Sequence, residues 1–467
     1  MPNEKLPLKS KFAYGGLGAG IGLPSQIAFS AITFFYNTTL GLSAELTGIA
    51  WLIFSFWNAI NDPLFGFIED RTKSEKYGRR IPYIRFGAPI YGIAFILCWI
   101  PLVDINSQFA LFFNLTIVLF VFDTLFTILG LINYTLPAEM ALTEKERANL
   151  LVYGAAISSI SYVIAFILPL LFLTGNESPK AALDFLVVMI IVGVVSSIIL
   201  FVSSFYLKEN KYTQMEESLP FFKGYKETFK NTPFLIYEVS NFSFTFAQTI
   251  LTTAIFYYVN YVLLLTGFLA TLPLLLVFVM IFGFFVVFNK LVGKYGVKKT
   301  YVFALFWSGI SFLLTFFIGW TIYFAIIGFI LIGIGFSGFM LTNQVVIADI
   351  VDYDETRTGK RRETTYSGIN ALITKPAISI ANWLFLLIIN DFGFDPQQST
   401  QNFSTQMGIM VGFSLIPAIF LIFSAIVMLF YPLDGPQWLA QKAELIKIHE
   451  KKELDYLKYL EDKKKTK

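Results

Sequence analysis

The 467-residue chain has a single cysteine and a single histidine. Cys98 therefore has no intrachain disulfide partner. With His449 alone in a charged tail, neither a Cys/His metal cluster nor an intramembrane histidine proton relay is available. Charge is scarce as well, with 14% charged against 56% hydrophobic residues and a mean hydropathy of +0.65. A water-soluble fold of this length has no interior large enough for that much apolar surface, which excludes a soluble enzyme, a nucleic-acid binder and a disordered scaffold. The net charge of +3 is too small to identify a partner. Nucleotide loops are missing too: GGLGAGIG at 15–22 fits no G-x-G-x-x-G register and no G-x-x-x-x-G-K-[ST] occurs. An ATP-driven pump is thus disfavoured, and close helix packing is the better account of those glycines. The first apolar stretch is long and follows Lys5, Lys9 and Lys11 without a small-residue cleavage site, so it reads as a retained span.

What the chain has in abundance is long apolar runs, and a spanning helix takes about 20 residues. Runs between charged or Pro/Gly-rich breaks place spans near 12–40, 45–69, 81–103, 108–134, 149–174 and 181–207, then near 233–262, 267–292, 299–320, 321–348, 366–390 and 405–431. This predicts an all-α integral membrane protein of about twelve transmembrane helices. Of the 35 Lys and Arg, all but Lys180 and Lys375 fall on one side if the spans alternate. That asymmetry predicts both termini in the cytoplasm; the membrane expected is the plasma membrane.

The two sets of six look like copies of one unit. KYGRR at 76–80 follows span 2, and KYGVKK at 294–299 follows span 8. A charged loop starting at Ala138 and Glu139 after span 4 is matched by one starting at Ala348 and Asp349 after span 10. The expected fold is the major facilitator architecture: two pseudo-symmetric six-helix halves, 1–207 and 233–431, a cytoplasmic linker at 208–232 and a charged tail at 432–467, with a solute site between the halves. The tail, with Trp438, Leu439, Leu445, Ile446 and Ile448 among alternating charges, reads as an amphipathic surface helix.

Polar groups inside spans must face the bundle interior or a water-filled path. In span 2, Asn58 and Asp62 stack one turn apart with Asn61 beside them, a carboxylate and two amide oxygens suited to a small hard cation; hydrogen-bonded packing is the alternative. Span 4 carries Thr116, Asp123, Thr127 and Gly130 on one stripe. Gln26, Ser30, Thr33 and Asn37 in span 1 are matched by Asn241, Thr245, Gln248 and Thr252 in span 7, which line a cavity or tie helices together. Lys375 in span 11 has Ser379 and Asn382 one and two turns on, and a lysine at that depth, costing about 2.5–3.5 kcal/mol on insertion scales, requires a partner. Asp62 or Asp123 of the other half is the natural one.

WNAINDPLFGFIEDRTKSEKYGRRIPYI at 57–84 resembles the signature after the second span of the glycoside-pentoside-hexuronide cation symporters, the melibiose permease family. ADIVDYDETRTGKRRETTYSG at 348–368, and TLPAEM with EKER at 135–147, resemble two further signatures, so the likeness runs from about Lys11 to Tyr431. It implies an alternating-access symporter coupling a solute, usually a sugar, to Na⁺, Li⁺ or H⁺. Carried over residue by residue, the resemblance puts a cation-site acid on Asp62 and its second acid on Asn58. Sugar-site acids fall on Gly22 and Gly130, an arginine on Ala155, an aromatic on Tyr134, a tryptophan on Met340, and the span 11 lysine on Lys375. Two carboxylates associated with galactoside recognition are thus absent.

The resulting expectation is no enzyme but a secondary transporter, a monomer among membrane lipids, that moves a sugar or related small polar solute with a monovalent cation, Na⁺ or H⁺, and needs no cofactor or resident metal. Cation ligands are Asp62, Asn58 and Asn61; solute contacts are Lys375, Asp123, Thr127, Tyr134, Gln26, Asn37, Asn241 and Gln248. Asp70, Arg71, Arg79 and Arg80 of one half and Asp349, Asp352, Arg361 and Arg362 of the other would gate the cytoplasmic mouth. A carrier of lysophospholipid-like amphiphiles, favoured by 52 Phe and by the likeness of the vertebrate lysophospholipid symporter to the same family, and an uncoupled facilitator are the alternatives.

Overall fold

Hydrocarbon offers no hydrogen bonds to a peptide group, so a chain of this composition resolves into helices. The computed structural model describes residues 6–71, 78, 80–141, 144–175, 179–208, 228–359, 362–445 and 447. Among them there is no strand, and twelve helical spans follow one another. The first half comprises α1 (Leu8–Phe34, continued by a π-helical turn Phe35–Thr39), α2 (Ala44–Arg71), α3 (Ile81–Leu97), α4 (Gln108–Met140), α5 (Glu144–Leu173) and α6 (Pro179–Ser203). In the second half α7 runs through Thr232–Thr253 and Ile255–Tyr257 into a π-helical turn Tyr258–Val262. Then come α8 (Phe268–Tyr295), α9 (Val297–Ile318), α10 (Ile322–Thr358), α11 (Glu363–Asp391) and α12 (Phe403–Met410, a π turn Val411–Leu415, and Ile416–Met428). Ten of these are long and apolar enough to cross a bilayer. α3 is a shorter apolar helix, and α2 carries its amides and Asp62 midway.

Several helices outrun their apolar segments. α4 continues to Met140 instead of 134, α5 starts at Glu144 instead of 149, and α10 reaches Thr358 instead of 348. Backbone hydrogen bonding does not stop where hydropathy does, so helices project their charged last turns into water. Glu139, Asp349 and Asp354, read as loop charges, accordingly sit on helices. In the opposite sense α3 stops at Leu97, short of the expected 103, ahead of Pro101.

The glycines at 15–22 pack helices. A Cβ at Gly15 would fall 2.3 Å from Cδ1 of Ile157 on α5, and one at Gly20 would fall 2.9 Å from Cγ of Leu200 on α6. The repeated KYG turns share a backbone device: Gly78 and Gly296 have φ of 87° and 86°, a region that L side chains rarely adopt, so each turn needs its glycine. Large apolar side chains such as Phe56, Phe109, Phe317 and Tyr323 point outward, as a lipid-facing surface requires.

Across the halves α2 packs on α11, α5 on α8 and α1 on α7. At the face away from the basic loops the contact is buried and polar. The Tyr257 hydroxyl donates to Asn37 Oδ1 at 2.9 Å, and Thr33 donates to Asn382 Oδ1 at 2.8 Å while accepting from Trp51 Nε1. The Phe34 ring meets Phe256 and Tyr257 with centroids 5.5 and 5.0 Å apart. At the basic face the described cross-half hydrogen bond is between exposed groups, Tyr134 and Ser367, at 3.1 Å.

A cross-half polar site

α2 presents Asn58 and Asp62 one turn apart, α4 presents Asp123 and Thr127 likewise, and α11 brings Lys375 from the other half. The Lys375 ammonium donates to Asp62 Oδ1, to Asn61 Oδ1 at 3.0 Å and to Thr127 Oγ1 at 3.3 Å. Asn61, fully buried, turns its other end around: its NH₂ donates to Asp123 Oδ2 and to Thr127 Oγ1 at 3.0 Å. One amide thus ties both carboxylates to one lysine. Of the two partners expected for Lys375, Asp62 is the direct one, and Asp123 is reached through Asn61. Asn58 is 3% exposed and its Oδ1 accepts no hydrogen bond among the described residues. The chemical environment of the ammonium is a carboxylate, an amide oxygen and a hydroxyl, the hard-oxygen set that a monovalent cation also takes.

The remaining solute candidates divide. Asn37 is fully buried with both amide ends engaged, by Tyr257 and by the Leu42 carbonyl, so in this conformation it belongs to the far-face seal. Gln26 is half-buried and Gln248 exposed, and neither side chain makes a hydrogen bond among the described residues. Asn241 meets Asn370 of α11. With its nitrogen turned toward Glu238, the Asn370 amide donates to that carboxylate at 3.1 and 3.3 Å. Glu238 is 3% exposed and was not among the embedded acids inferred from sequence. A carboxylate so near a helix start looks like a charge reaching water, and only the packing of α11 closes over it. A cavity of about 170 Å³ lies beside this cluster, between α7 and α10. At Gly22 and Gly130, where the resemblance places sugar-site acids, an added Cβ would meet nothing within 4 Å.

Among the described residues, three of the expected gating charges have an ion-pair partner in their own half or in the tail. Arg80 donates to Glu139 at 2.5 Å, Arg362 holds Asp354 bidentately at 2.6 and 2.7 Å, and Lys442 of the tail donates to Asp349. Asp352 is half-buried on α10. Arg79 and Arg361 lie outside the described residues, as do the side chains of Asp70 and Arg71. Residues 435–445 of the tail are helical, with Trp438 buried 6.1 Å from the Tyr353 ring and Leu439 exposed; Ile446 and Ile448 lie outside the described residues.

The family described as MFS/sugar transport protein matches residues 12–435. The chain belongs to that family. Its members include transporters, not enzymes, and the likeness of the three signatures to the glycoside-pentoside-hexuronide symporters is borne out. An inner membrane symporter of Escherichia coli is 25% identical over 91% of this chain and 92% of its own. The isoprimeverose transporter of Lactiplantibacillus pentosus is 23% identical over 92% and 89%. Among solved structures, a D-xylose-proton symporter superposes with a TM-score of 0.68 at 12% identity, covering 91% of this chain and 97% of that one, which supports the major facilitator fold.

Proposed function

We propose that this sugar-transport family member couples the movement of a sugar or related small polar solute to a monovalent cation, Na⁺ or H⁺, by alternating access. The observation that carries the reading is the ammonium of Lys375, from one half, seated among Asp62, Asn61 and Thr127 of the other. Here the lysine occupies the carboxylate that a cation would take. A cation arriving at Asp62, with Asn58 Oδ1 free to join it, displaces the ammonium and removes a bond between the halves, biasing the equilibrium between their two arrangements. Coupling is then an exchange of partners. The symporter and isoprimeverose-transporter names of the relatives agree with this assignment. The basic loops support a reading with both termini in the cytoplasm and a plasma-membrane location, and a site formed by the two halves of one chain supports a monomer among membrane lipids.

The test is uptake into proteoliposomes of labelled isoprimeverose and of labelled lysophosphatidylcholine, with and without a Na⁺ or proton gradient. Gradient-driven accumulation of the sugar is expected. Accumulation of the lysophospholipid alone would replace the substrate class, and sugar equilibration indifferent to every gradient would leave a facilitator.

A further inference from the structure

We infer that the cavity between α7 and α10 is the solute's recognition subsite and that it selects an uncharged, hydroxyl-rich ring over an anionic sugar. This rests on the sugar-transport reading and narrows it. The cavity of about 170 Å³ is walled by Asn241, Thr245 and Gln248 of α7 and by Asn343 and Gln344 of α10, over the near-parallel rings of Phe244 and Phe339, 3.6 Å apart. It is smaller than the roughly 300–1,000 Å³ of a whole ligand pocket, so it fits one end of a solute whose remainder lies in the cleft between the halves.

Four amides and a hydroxyl on two apolar helices are unusual, since polar side chains within a membrane must find partners. Yet the side chains of Thr245, Gln248 and Gln344 make no hydrogen bond among the described residues, while Asn343 accepts from Tyr301 at 3.2 Å. α7 is otherwise almost entirely buried, so its open face is this polar stripe and points inward. Amides both donate and accept, as sugar hydroxyls do, whereas a carboxylate or sulfonate only accepts and needs a cation to replace its water.

No such cation is at hand. The cavity walls contain no Lys, Arg or His, and the position where the resemblance expects an arginine on α5 is Ala155. Lys375, embedded midway along α11, is already held by three oxygens. Glu238, linked through Asn370 to Asn241 at the cavity edge, adds an acidic neighbour. An anionic solute would meet acidic neighbours and no free cationic partner. Hexuronides, part of the wider family's substrate range by name, are therefore outside this chain's range.

The experiment is equilibrium binding to the purified full chain of isoprimeverose, a neutral disaccharide, and of two methyl monosaccharides matched in size, neutral methyl glucoside and anionic methyl glucuronide. Gln248→Ala and Gln344→Ala are compared with the parent, and thermal stabilisation by Na⁺ or by pH serves as an independent report of the cation site. The expected result is binding of isoprimeverose and the glucoside and not of the glucuronide, weakened about tenfold in each variant by the loss of hydrogen bonds, with the cation response unchanged. Binding of the glucuronide as tight as that of the glucoside, or isoprimeverose binding insensitive to both substitutions in protein that melts like the parent, would overturn the inference while leaving sugar transport standing. Binding of none of these sugars, with lysophosphatidylcholine bound instead, would overturn both.

Discussion

Replacing Lys375 by alanine tests the partner exchange most directly, because it separates competition from packing. Two unit charges about 4 Å apart at an effective dielectric constant near 20 attract by about 4 kcal/mol, and removing one member of a buried pair costs roughly 3–5 kcal/mol. The Lys375 and Asp62 side chains are 18% and 20% exposed, so solvent screening brings the useful range down to about 2–4 kcal/mol. If the ammonium holds Asp62 with that advantage, a cation binds the wild-type protein more weakly by the same factor, about 30- to 700-fold at 1.4 kcal/mol per tenfold. Lys375→Ala is therefore expected to bind the coupling cation more tightly, by a factor within that range, while losing concentrative uptake. It should also melt at a lower temperature without the ion and recover most of the loss with it. Calorimetric titration with Na⁺, run beside proton uptake, and melting curves against ion concentration read all three. Lys375→Arg should rescue uptake poorly, since the guanidinium is larger and directs its donors differently. Unchanged or weaker cation affinity in a Lys375→Ala protein that inserts and purifies normally would refute the competition, and wild-type uptake by that protein would leave the lysine a packing role only.

Asp62→Asn should keep solute binding but lose its ion dependence, leaving facilitated exchange; ion dependence equal to the parent's would remove Asp62 from the cation site. Tyr257→Phe strands the buried Asn37 Oδ1 at about 1–3 kcal/mol and should shift the protein toward opening at the far face, read as faster labelling of a cysteine placed at Gln26 in a Cys98→Ala background. Gly92→Val puts a side chain where a Cβ already lies 2.6 Å from the backbone oxygen of Gly193, so α3 and α6 must separate; a fall in melting temperature matching about 1–3 kcal/mol is expected, and none would mean that the crossing is looser than it looks.

The spans were legible because hydrocarbon imposes one rule on every residue within it, and the basic loops because insertion imposes another. The members of the cross-half polar cluster were legible for the same reason: Asp62, Asp123 and Lys375 are too costly in apolar runs to pass unnoticed. Their wiring was not. Nothing in a linear order says that Asn61, and not Asn58, carries the bridge to Asp123, because a one-residue step turns a side chain by about 100° on a helix and only the packing of α4 decides which side it meets. Asn37 and Gln26 sit on one stripe with the same chemistry, and the π-helical turn at Phe35–Thr39 moves the first into a seal with Tyr257 while the second stays in the interior. Tyr257 itself carried no signal, one aromatic among many in an aromatic-rich chain.

The charges at the basic mouth bear on how the molecule turns over. Equivalent acids of the two halves solve their burial differently: Glu139 takes Arg80 from the loop of its own repeat, whereas Asp349 takes Lys442 from the tail, although the second repeat has its own basic pair, Lys298 and Lys299. With the far face sealed by buried hydrogen bonds and the described ion pairs at the basic face formed within each half, the cross-half polar bonds among the described residues are buried at the far face and at Lys375 and exposed at Tyr134. Closure of the basic mouth through the pairs expected from sequence would oblige Arg80 to leave Glu139 or Asp349 to leave Lys442. The Arg80, Glu139 and Asp349 side chains are no more than 8% exposed, so moving any of them from its partner is costly unless the opposite half supplies a replacement at the same moment. The two arrangements then exclude each other sharply, the bistability that alternating access requires.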